Sequence, residues 1–291
     1  MMFNTGKELL ELTQKYNCNI SDILIKKEME VFESTEEEIL EKTRKIYDVM
    51  INSASESILH PEKYKGHIIG GDAIKMKNYT DKDDTYCGQT INIAMARAFS
   101  TSEVNASMGL ICAAPTAGAS GIIPAAIITG SEKVCADELS TLKALLTSAA
   151  IGELVTKNAT VSGAEGGCQA ETGTAAAMAA AALVELKGGS PTASLHASSI
   201  ALKNVMGLVC DPIAGLVESP CAKRNASGVT NAMISADMAL AGVESIVPFD
   251  EMVETMLKVG KSLPNTLKET ALGGIAITKT AKSLEKKIFN K

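Results

Sequence analysis

The sequence predicts an all-α fold, and three observations carry this prediction. Apolar residues make up 46% of the 291 residues, yet aromatic residues account for only 3% and tryptophan is absent. The core must therefore consist of Ala, Ile, Leu, Val and Met; Ala and Met favour helices, whereas sheets favour aromatic and β-branched residues. The alternation of apolar and polar residues that is typical of strands is missing along the chain.

We predict a charged N-terminal helical region over residues 1–65 and a single all-helical catalytic domain over residues 66–291. The first 65 residues carry 9 Lys or Arg and 13 Asp or Glu residues. Two interpretations of this charged region are possible, a partner-binding arm and a solvated helical hairpin on the surface. Ser21 is a candidate cap for a helix through Asp22 to Phe32, and Thr35 with Glu38 forms a capping-box signature before a helix from Glu36 to about Ser57.

No charged side chain occurs between Glu103 and Glu132. The length of this run would suit a membrane span, but two prolines, several glycines and small hydroxyl residues interrupt it. Two buried helices joined by the loop PTAGASG, residues 115–121, explain it better. Placed before a helix that starts near Ile122, the loop offers backbone N–H groups to an anion such as a carboxylate. A tight buried helix–helix turn is the alternative.

The rest of the chain also shows helical patterns. Gly188-Gly189 ends a central apolar helix, and Ser190-Pro191 supplies an N-cap followed by proline at the first position of the next helix. The helices expected here are Asp137–Thr156, Glu171–Leu186, a helix from Pro191 to about Met206, Asn225–Ala241 and a helix from Glu251 to Val259 capped by Asp250.

Three cysteines lie in turn-like settings between Gly163 and Asn225. Cys168 follows two glycines, Cys210 precedes Asp211-Pro212 and Cys221 follows Pro220. A cysteine that serves only as a small apolar filler usually lies inside a helix or strand. This placement therefore suggests three ligands directed at one site.

Three kinds of chemistry could use these thiols. Structural zinc needs four ligands, usually with a closely spaced cysteine pair, which is missing here. A catalytic thiol needs one cysteine and a histidine partner, which leaves the other two unexplained. An iron–sulfur cluster bound by three thiolates would keep one iron open to a substrate, and the spacing favours it.

The loop HPEKYKGHIIGGDA, residues 60–73, holds two of the three histidines, His60 and His67. A lone loop histidine is more often solvated than catalytic. The paired glycines before Asp72 would let the backbone approach a ligand closely.

Composition restricts the partners and the compartment. The formal net charge is −6 and no basic stripe is present, so nucleic acid is not expected as a partner. The N-terminus has no basic segment followed by an apolar one, so we expect no secretory signal. Seven cysteines without a disulfide spacing point to a reducing, cytoplasmic setting.

Four motifs, GGDA, ICAAPTAGASGIIPA, GGCQAETG and LVCDPIAGLVESPCAKRNASG, resemble in this order and spacing the α chain of iron–sulfur-dependent L-serine dehydratase. The resemblance covers essentially the whole chain. It implies an all-helical fold and conversion of L-serine to pyruvate and ammonia without pyridoxal phosphate. It also implies a 4Fe–4S cluster bound by Cys168, Cys210 and Cys221, and a separate β subunit in a hetero-oligomer, because this chain has no room for the β portion.

The resemblance implies that an open iron binds serine through its carboxylate and β-hydroxyl while a base removes the Cα proton. Thr116, Gly118, Ala119 and Ser120 are the expected substrate contacts, chiefly through backbone N–H groups. Asp72, Asn105 and Glu171 are further polar candidates, and His60 and His67 are weak candidates for the base, which the β portion would otherwise supply. The alternatives are a lyase of the same superfamily that acts on cysteine, a non-catalytic assembly subunit and, less favoured, a pyridoxal phosphate enzyme.

Overall fold

The computed structural model describes residues 1–82 and 84–290, and its regular structure is helical. Within these ranges thirteen α-helices follow one another and no strand forms, which confirms the all-α prediction. The helices are α1 Gly6–Tyr16, α2 Ile20–Phe32, α3 Glu36–Leu59, α4 Asp72–Thr80, α5 Gly88–Ala106, α6 Ile122–Val134, α7 Glu138–Asn158, α8 Gly163–Gly166, α9 Thr174–Leu186, α10 Pro191–Asn204, α11 Cys221–Leu240, α12 Phe249–Ser262 and α13 Lys279–Phe289.

The Ala-rich helix α9 forms the centre of the molecule. Its residues from Thr174 to Val184 are buried, and α6, α7, α10 and α11 pack around it. Small side chains let the neighbouring helices approach closely. At Gly130 of α6 and Gly152 of α7, an added Cβ would collide with Leu183 and Met178 of α9. The core is therefore built from closely packed helix backbones, as the low aromatic content requires.

The N-terminal helices belong to the same hydrophobic core. Phe3, Leu9, Ile20 and Ile23 are fully buried in the cluster that also contains α9. The capping box of Thr35 and Glu38 is present and starts α3, as predicted. The boundary near residue 65 stays a prediction.

The expected cap at Ser21 is wrong. Asn19 is the N-cap of α2 and forms a capping box with Asp22, so the helix begins at Ile20. Ser21 lies inside the helix, where its hydroxyl donates a hydrogen bond to the half-buried Glu185 side chain. An asparagine with an acidic residue three positions later supplies the same reciprocal bonds as a serine cap.

Asp250 lies in the first turn of α12 but does not cap this helix. Helix α12 starts at Phe249 after Pro248, and the Asp250 carboxylate instead accepts hydrogen bonds from the backbone N–H groups of Gly6 and Lys7 at 2.6 and 3.0 Å. It thus satisfies free donors of the first turn of α1, a long-range contact that local patterns cannot reveal.

The uncharged run between Glu103 and Glu132 contains most of one helix, α6, rather than two helices. Helix α5 already ends at Ala106, and irregular backbone leads to a 3-10 turn at Ala117–Ala119 before α6 begins at the predicted Ile122. Among the described residues one helix, Glu138–Asn158, has the length and composition of a membrane span, but 67% of its apolar window is buried inside the protein. A mostly buried helix in the core of a protein can have the same length and composition.

Candidate functional site

The three predicted cysteines come from three different elements. Cys168 is buried and immediately precedes a π-helical turn, Gln169–Gly173, that leads into α9. Cys210 is buried in the loop after α10. Cys221 is the first residue of α11, so the predicted helix at Asn225 begins four residues earlier and this cysteine lies at a helix start instead of in a turn.

The fold brings these thiols together. Burial is the main cause that raises the pKa of Cys210, and the nearby charges of Glu171, Cys168 and Cys221 raise it further. Burial and the charge of Cys168 likewise raise the pKa of Cys221 to about 12. Cys168 thus acts on both other thiols, and Cys221 acts on Cys210, because these groups lie in one poorly solvated site. The protein alone does not stabilise three thiolates there, whereas a bound cation deprotonates coordinating thiols.

Glu171 lies in the π-helical turn and faces the thiols. Its Oε2 atom is 3.9 Å from Cys210 Sγ, and its Oε1 atom accepts a hydrogen bond from Thr116 Oγ1 at 2.9 Å. Burial raises the pKa of Glu171, and the Thr116 hydrogen bond offsets part of this effect. An added Cβ at Gly163 would lie 2.6 Å from Glu171 Oε2 and 3.0 Å from Cys210 Sγ. Glycine at this position therefore keeps the space beside both groups open.

The PTAGASG loop lies beside the same site. Thr116 touches Glu171, and the Gly118 carbonyl accepts a hydrogen bond from Asn225 Nδ2 at 2.7 Å. The N–H groups of Ala119 and Ser120 donate within their own 3-10 turn to the carbonyls of Thr116 and Ala117. These two donors are engaged in this structure. The assignment of the four loop residues as substrate contacts stays a prediction.

A segment near the C-terminus, residues 264–278, fastens the Cys210 loop, and we call it the C-terminal clasp. The Cys210 N–H donates to the Leu267 carbonyl at 2.9 Å, and the Glu269 N–H donates to the Cys210 carbonyl at 2.7 Å. Asp211 accepts from the Ile275 N–H at 2.7 Å and pairs with Arg224 at 2.8 Å. The clasp and Arg224 together hold the residues on both sides of Cys210.

Glu218 connects the cysteine loop to the histidine-containing loop. Its side chain is 4% exposed and accepts hydrogen bonds from the backbone N–H groups of His67, Ile68 and Ile69. The His67 Nδ1 atom lies 3.2 Å from the same carboxylate, while its ring is 60% exposed. His60 ends helix α3 at the exposed surface. The structure therefore links His67, but not His60, to the segment before Cys221.

The GGDA motif forms a helix start instead of an open ligand cradle. The N–H groups of Asp72 and Ala73 donate to the fully buried carboxylate of Glu103 at 2.6 and 3.2 Å. Asp72 also pairs with Lys223 at 2.7 Å, two residues after Cys221. Asn105 lies in the last turn of α5, where its carbonyl accepts from the Met108 N–H. Whether Asp72 and Asn105 contact the substrate stays a prediction.

Sequence reasoning missed several polar residues that build the site. Four of them lie near the cysteines in the motif DPIAGLVESPCAKRN, where polar residues occur between prolines and glycines, whereas Glu269 lies far along the chain and had no such signal. Thr172, whose Oγ1 atom lies 3.0 Å from Cys168 Sγ, was within the quoted GGCQAETG motif but was not selected. The residues missed are Thr172, Asp211, Glu218, Arg224, Asn225 and Glu269.

The three cysteines can be compared with what the predicted cluster requires of its ligands. Within residues 1–82 and 84–290, no group of three or more His, Cys, Asp or Glu side chains converges on one point as ligands of one metal ion do. A multi-iron cluster distributes its thiolates over different irons, so its ligands surround a larger body. The buried thiols of Cys168 and Cys210, the half-buried thiol of Cys221 and the space kept open at Gly163 fit that requirement.

Known proteins are similar in sequence to this chain over nearly its full length. The chain is 50% identical over 285 residues to the L-serine dehydratase alpha chain of Peptoniphilus asaccharolyticus, which covers 98% of both chains. It is 47% identical over 288 residues to the probable L-serine dehydratase alpha chain of Bacillus subtilis, covering 99% of this chain and 96% of that one.

A longer relative matches along part of its length. The chain is 36% identical over 286 residues to the L-serine dehydratase of Helicobacter pylori, and this match covers 95% of the chain but 62% of that protein. The family model described as serine dehydratase alpha chain matches residues 15–276, a range that contains the three thiols, Glu171 and most of the clasp. The chain therefore belongs to the serine dehydratase alpha-chain family.

Proposed function

We propose that this protein is the catalytic alpha chain of an L-serine dehydratase and carries a 4Fe–4S cluster on Cys168, Cys210 and Cys221. The reaction converts L-serine to pyruvate and ammonia by loss of the Cα proton and the β-hydroxyl, followed by tautomerisation and hydrolysis of the resulting enamine. The observation that carries the proposal is that the buried thiols of Cys168 and Cys210 and the half-buried thiol of Cys221 share one site beside Glu171.

The cluster would supply an open iron as a Lewis acid that assists departure of the β-hydroxyl. The protein's own residues position the substrate and limit access of water. Thr116 binds Glu171 beside the thiols, and the C-terminal clasp fastens the Cys210 loop. Asp211 and Arg224 hold the loop that carries Cys210, which keeps the thiol in place during turnover.

A separate beta subunit is the proposed partner, in a hetero-oligomer. The alpha-chain names of two relatives support this, as does the greater length of the single-chain Helicobacter pylori relative, in which this chain matches 62%. The beta subunit would supply the base that removes the Cα proton if neither His67 nor His60 does. The free thiols also favour a reducing compartment, and we propose the cytoplasm.

The test is anaerobic purification with the beta subunit, iron and sulfide counting, and a serine-to-pyruvate assay. We expect about four irons and four sulfides for each chain, the stoichiometry of the proposed cluster, with loss of both colour and activity in air because one iron is open to oxidants. Cys168→Ala, Cys210→Ala and Cys221→Ala should each lose the cluster. The matched control is Cys135→Ala, at an exposed thiol that caps α6, which should retain it.

Full cluster content in all three variants would overturn the ligand assignment. Turnover of L-serine to pyruvate supports this proposal. Release of sulfide from L-cysteine without turnover of L-serine would favour a lyase that acts on L-cysteine. An intact cluster in the complex with the beta subunit but no turnover of either amino acid would favour a non-catalytic assembly subunit.

A further inference from the structure

Two acidic residues lie beside Cys210. Glu171 Oε2 is 3.9 Å from Cys210 Sγ, and the Glu269 N–H donates to the Cys210 carbonyl at 2.7 Å. Of the nearby cations, Arg224 pairs with Asp211 and Lys223 pairs with Asp72. Glu269 takes part in neither of these two salt bridges.

The backbone fixes Glu269 at the rim of the site. Its N–H donates to the Cys210 carbonyl at 2.7 Å, while its side chain is exposed to water. Its φ angle is +61°, and that of Ala271 is +55°. Left-handed backbone at a residue with a Cβ costs about 1–2 kcal/mol. Such strain persists where surrounding contacts hold it, and it is common at functional sites. Here the hydrogen bonds to Cys210 and Asp211 hold the clasp in this shape.

An amino acid substrate brings a matching positive charge. At neutral pH it carries an α-carboxylate and an α-ammonium, and the proposed contacts at Thr116 and the open iron address the carboxylate and the hydroxyl. The ammonium needs an anionic partner. Glu171 is a poor choice because it is buried and already accepts the Thr116 hydrogen bond. Glu269 is exposed, negatively charged and held next to Cys210.

We propose that Glu269 binds the α-ammonium group of the substrate and so restricts the site to α-amino acids. This inference rests on the proposed function, since it assumes that the substrate occupies the space beside Cys210. It assigns the C-terminal clasp a role in recognition as well as in fastening the Cys210 loop. Deaminated hydroxy acids of the same length are the ligands that this contact would reject.

The test compares ligands that differ only in the ammonium group. Anaerobic calorimetry on the holoenzyme with its beta subunit would measure the Kd of L-alanine and of propanoate, which are unreactive, beside the KM for L-serine and the inhibition constant of 3-hydroxypropanoate. In Glu269→Gln we expect affinity for L-alanine to fall, and the KM for L-serine to rise, by at least about tenfold, the scale of a lost charged hydrogen bond. Binding of propanoate and 3-hydroxypropanoate should stay the same or tighten.

Glu254→Gln is the matched control, because this exposed glutamate lies on α12 and pairs with Lys258 away from the thiols. Glu254→Gln should leave the two Kd values, the KM for L-serine and the inhibition constant of 3-hydroxypropanoate unchanged. Glu269→Asp should retain part of the preference for ligands with the ammonium group that Glu269→Gln loses. Equal weakening of ligands with and without the ammonium, or a preference that survives in Glu269→Gln, would overturn this inference. A wild-type complex that neither binds nor converts L-serine would instead overturn the proposed function.

Discussion

At the scale of single residues, the sequence identified the thiols but not the groups that hold them. Cys168, Cys210 and Cys221 were recognisable because cysteines near glycine and proline are unusual in a helical protein. Arg224 and Asp211 were not, since a charged pair in a motif resembles any solvated surface pair. Only the fold shows that both side chains are nearly buried, at 14% and 4% exposure, and lie against the Cys210 loop.

Gly163 offers a direct test of the space beside the thiols. Because an added methyl group would meet Glu171 and Cys210, we expect Gly163→Ala to lower iron and sulfide content while helical content stays the same. Overpacking of this kind also costs about 1–3 kcal/mol of stability. Metal analysis, circular dichroism and urea unfolding measure the three quantities.

Gly188→Ala is the control for that substitution. Its added methyl group meets open space, but its φ of +72° is unfavourable for alanine. We expect a stability loss of about 1 kcal/mol with unchanged iron content. Equal iron in both variants would show that the space at Gly163 is not needed.

Glu185 predicts a pH dependence of stability. Burial raises its pKa, and although the Ser21 and Thr147 hydroxyls donate to it, the nearby Asp22 raises the pKa further. The folded protein therefore retains a proton at Glu185 that the unfolded chain releases above about pH 4.3. Stability from this group is present at lower pH and is lost as the pH rises towards the folded pKa.

Glu185→Gln should remove this dependence. Relative to the variant, the wild type should lose about 1.4 kcal/mol as the pH rises for each unit by which the pKa is raised. Urea midpoints measured from pH 4.5 to 8 under reducing conditions test the difference. Parallel curves for the two proteins would contradict it.

At the scale of elements, local signals predicted most helices, and long-range contacts explain the errors. The capping box of α3, the start of α6 and the proline start of α10 were correct because each depends on neighbours in the sequence. The GGDA motif was interpreted as a candidate ligand loop because paired glycines let the backbone approach a ligand closely, but its N–H groups are engaged within the protein. Their acceptor, Glu103, lies about thirty residues further on in α5.

The loop at residues 66–70 depends on one distant carboxylate. Three of its backbone N–H groups donate to Glu218, and an added Cβ at Gly66 would collide with that carboxylate. Glu218→Ala should therefore lower stability by at least about 2 kcal/mol, because buried donors lose their acceptor. Hydrogen exchange at His67, Ile68 and Ile69 should accelerate.

Glu62→Ala is a control in the same stretch of chain, since this side chain is 88% exposed and pairs only with Lys65 across a short surface bridge. It should change stability by less than about 0.5 kcal/mol. Protection of residues 67–69 that is unchanged in Glu218→Ala would show that the loop holds its shape by other contacts.

At the scale of the whole molecule, composition predicted the fold class because a core without large aromatic residues leaves helices as the efficient solution. Composition could not predict which helix would be central. Helix α9 takes that place because its alanines accept neighbours on every side, and the π-helical turn that leads into it places Cys168 and Glu171 in the site. The position of the site thus follows from the packing of the core.

Close packing around α9 predicts intolerance of larger side chains. Ala180 is fully buried, so Ala180→Leu should cost about 1–3 kcal/mol or more. Ala149→Leu introduces the same side chain at an exposed position of α7 and should change stability by less than about 0.5 kcal/mol. Urea unfolding of both variants measures the loss in free energy of unfolding. Equal losses would show that the core around Ala180 can accommodate a larger side chain.

The C-terminal clasp also has a consequence for biosynthesis. A ribosome makes Cys168, Cys210 and Cys221 well before Leu267 and Ile275, the residues that fasten the Cys210 loop. Until those residues are made, the Cys210 loop lacks these hydrogen-bond partners. A chain truncated before the clasp would therefore keep all three thiols but lose the bonds that fasten the Cys210 loop.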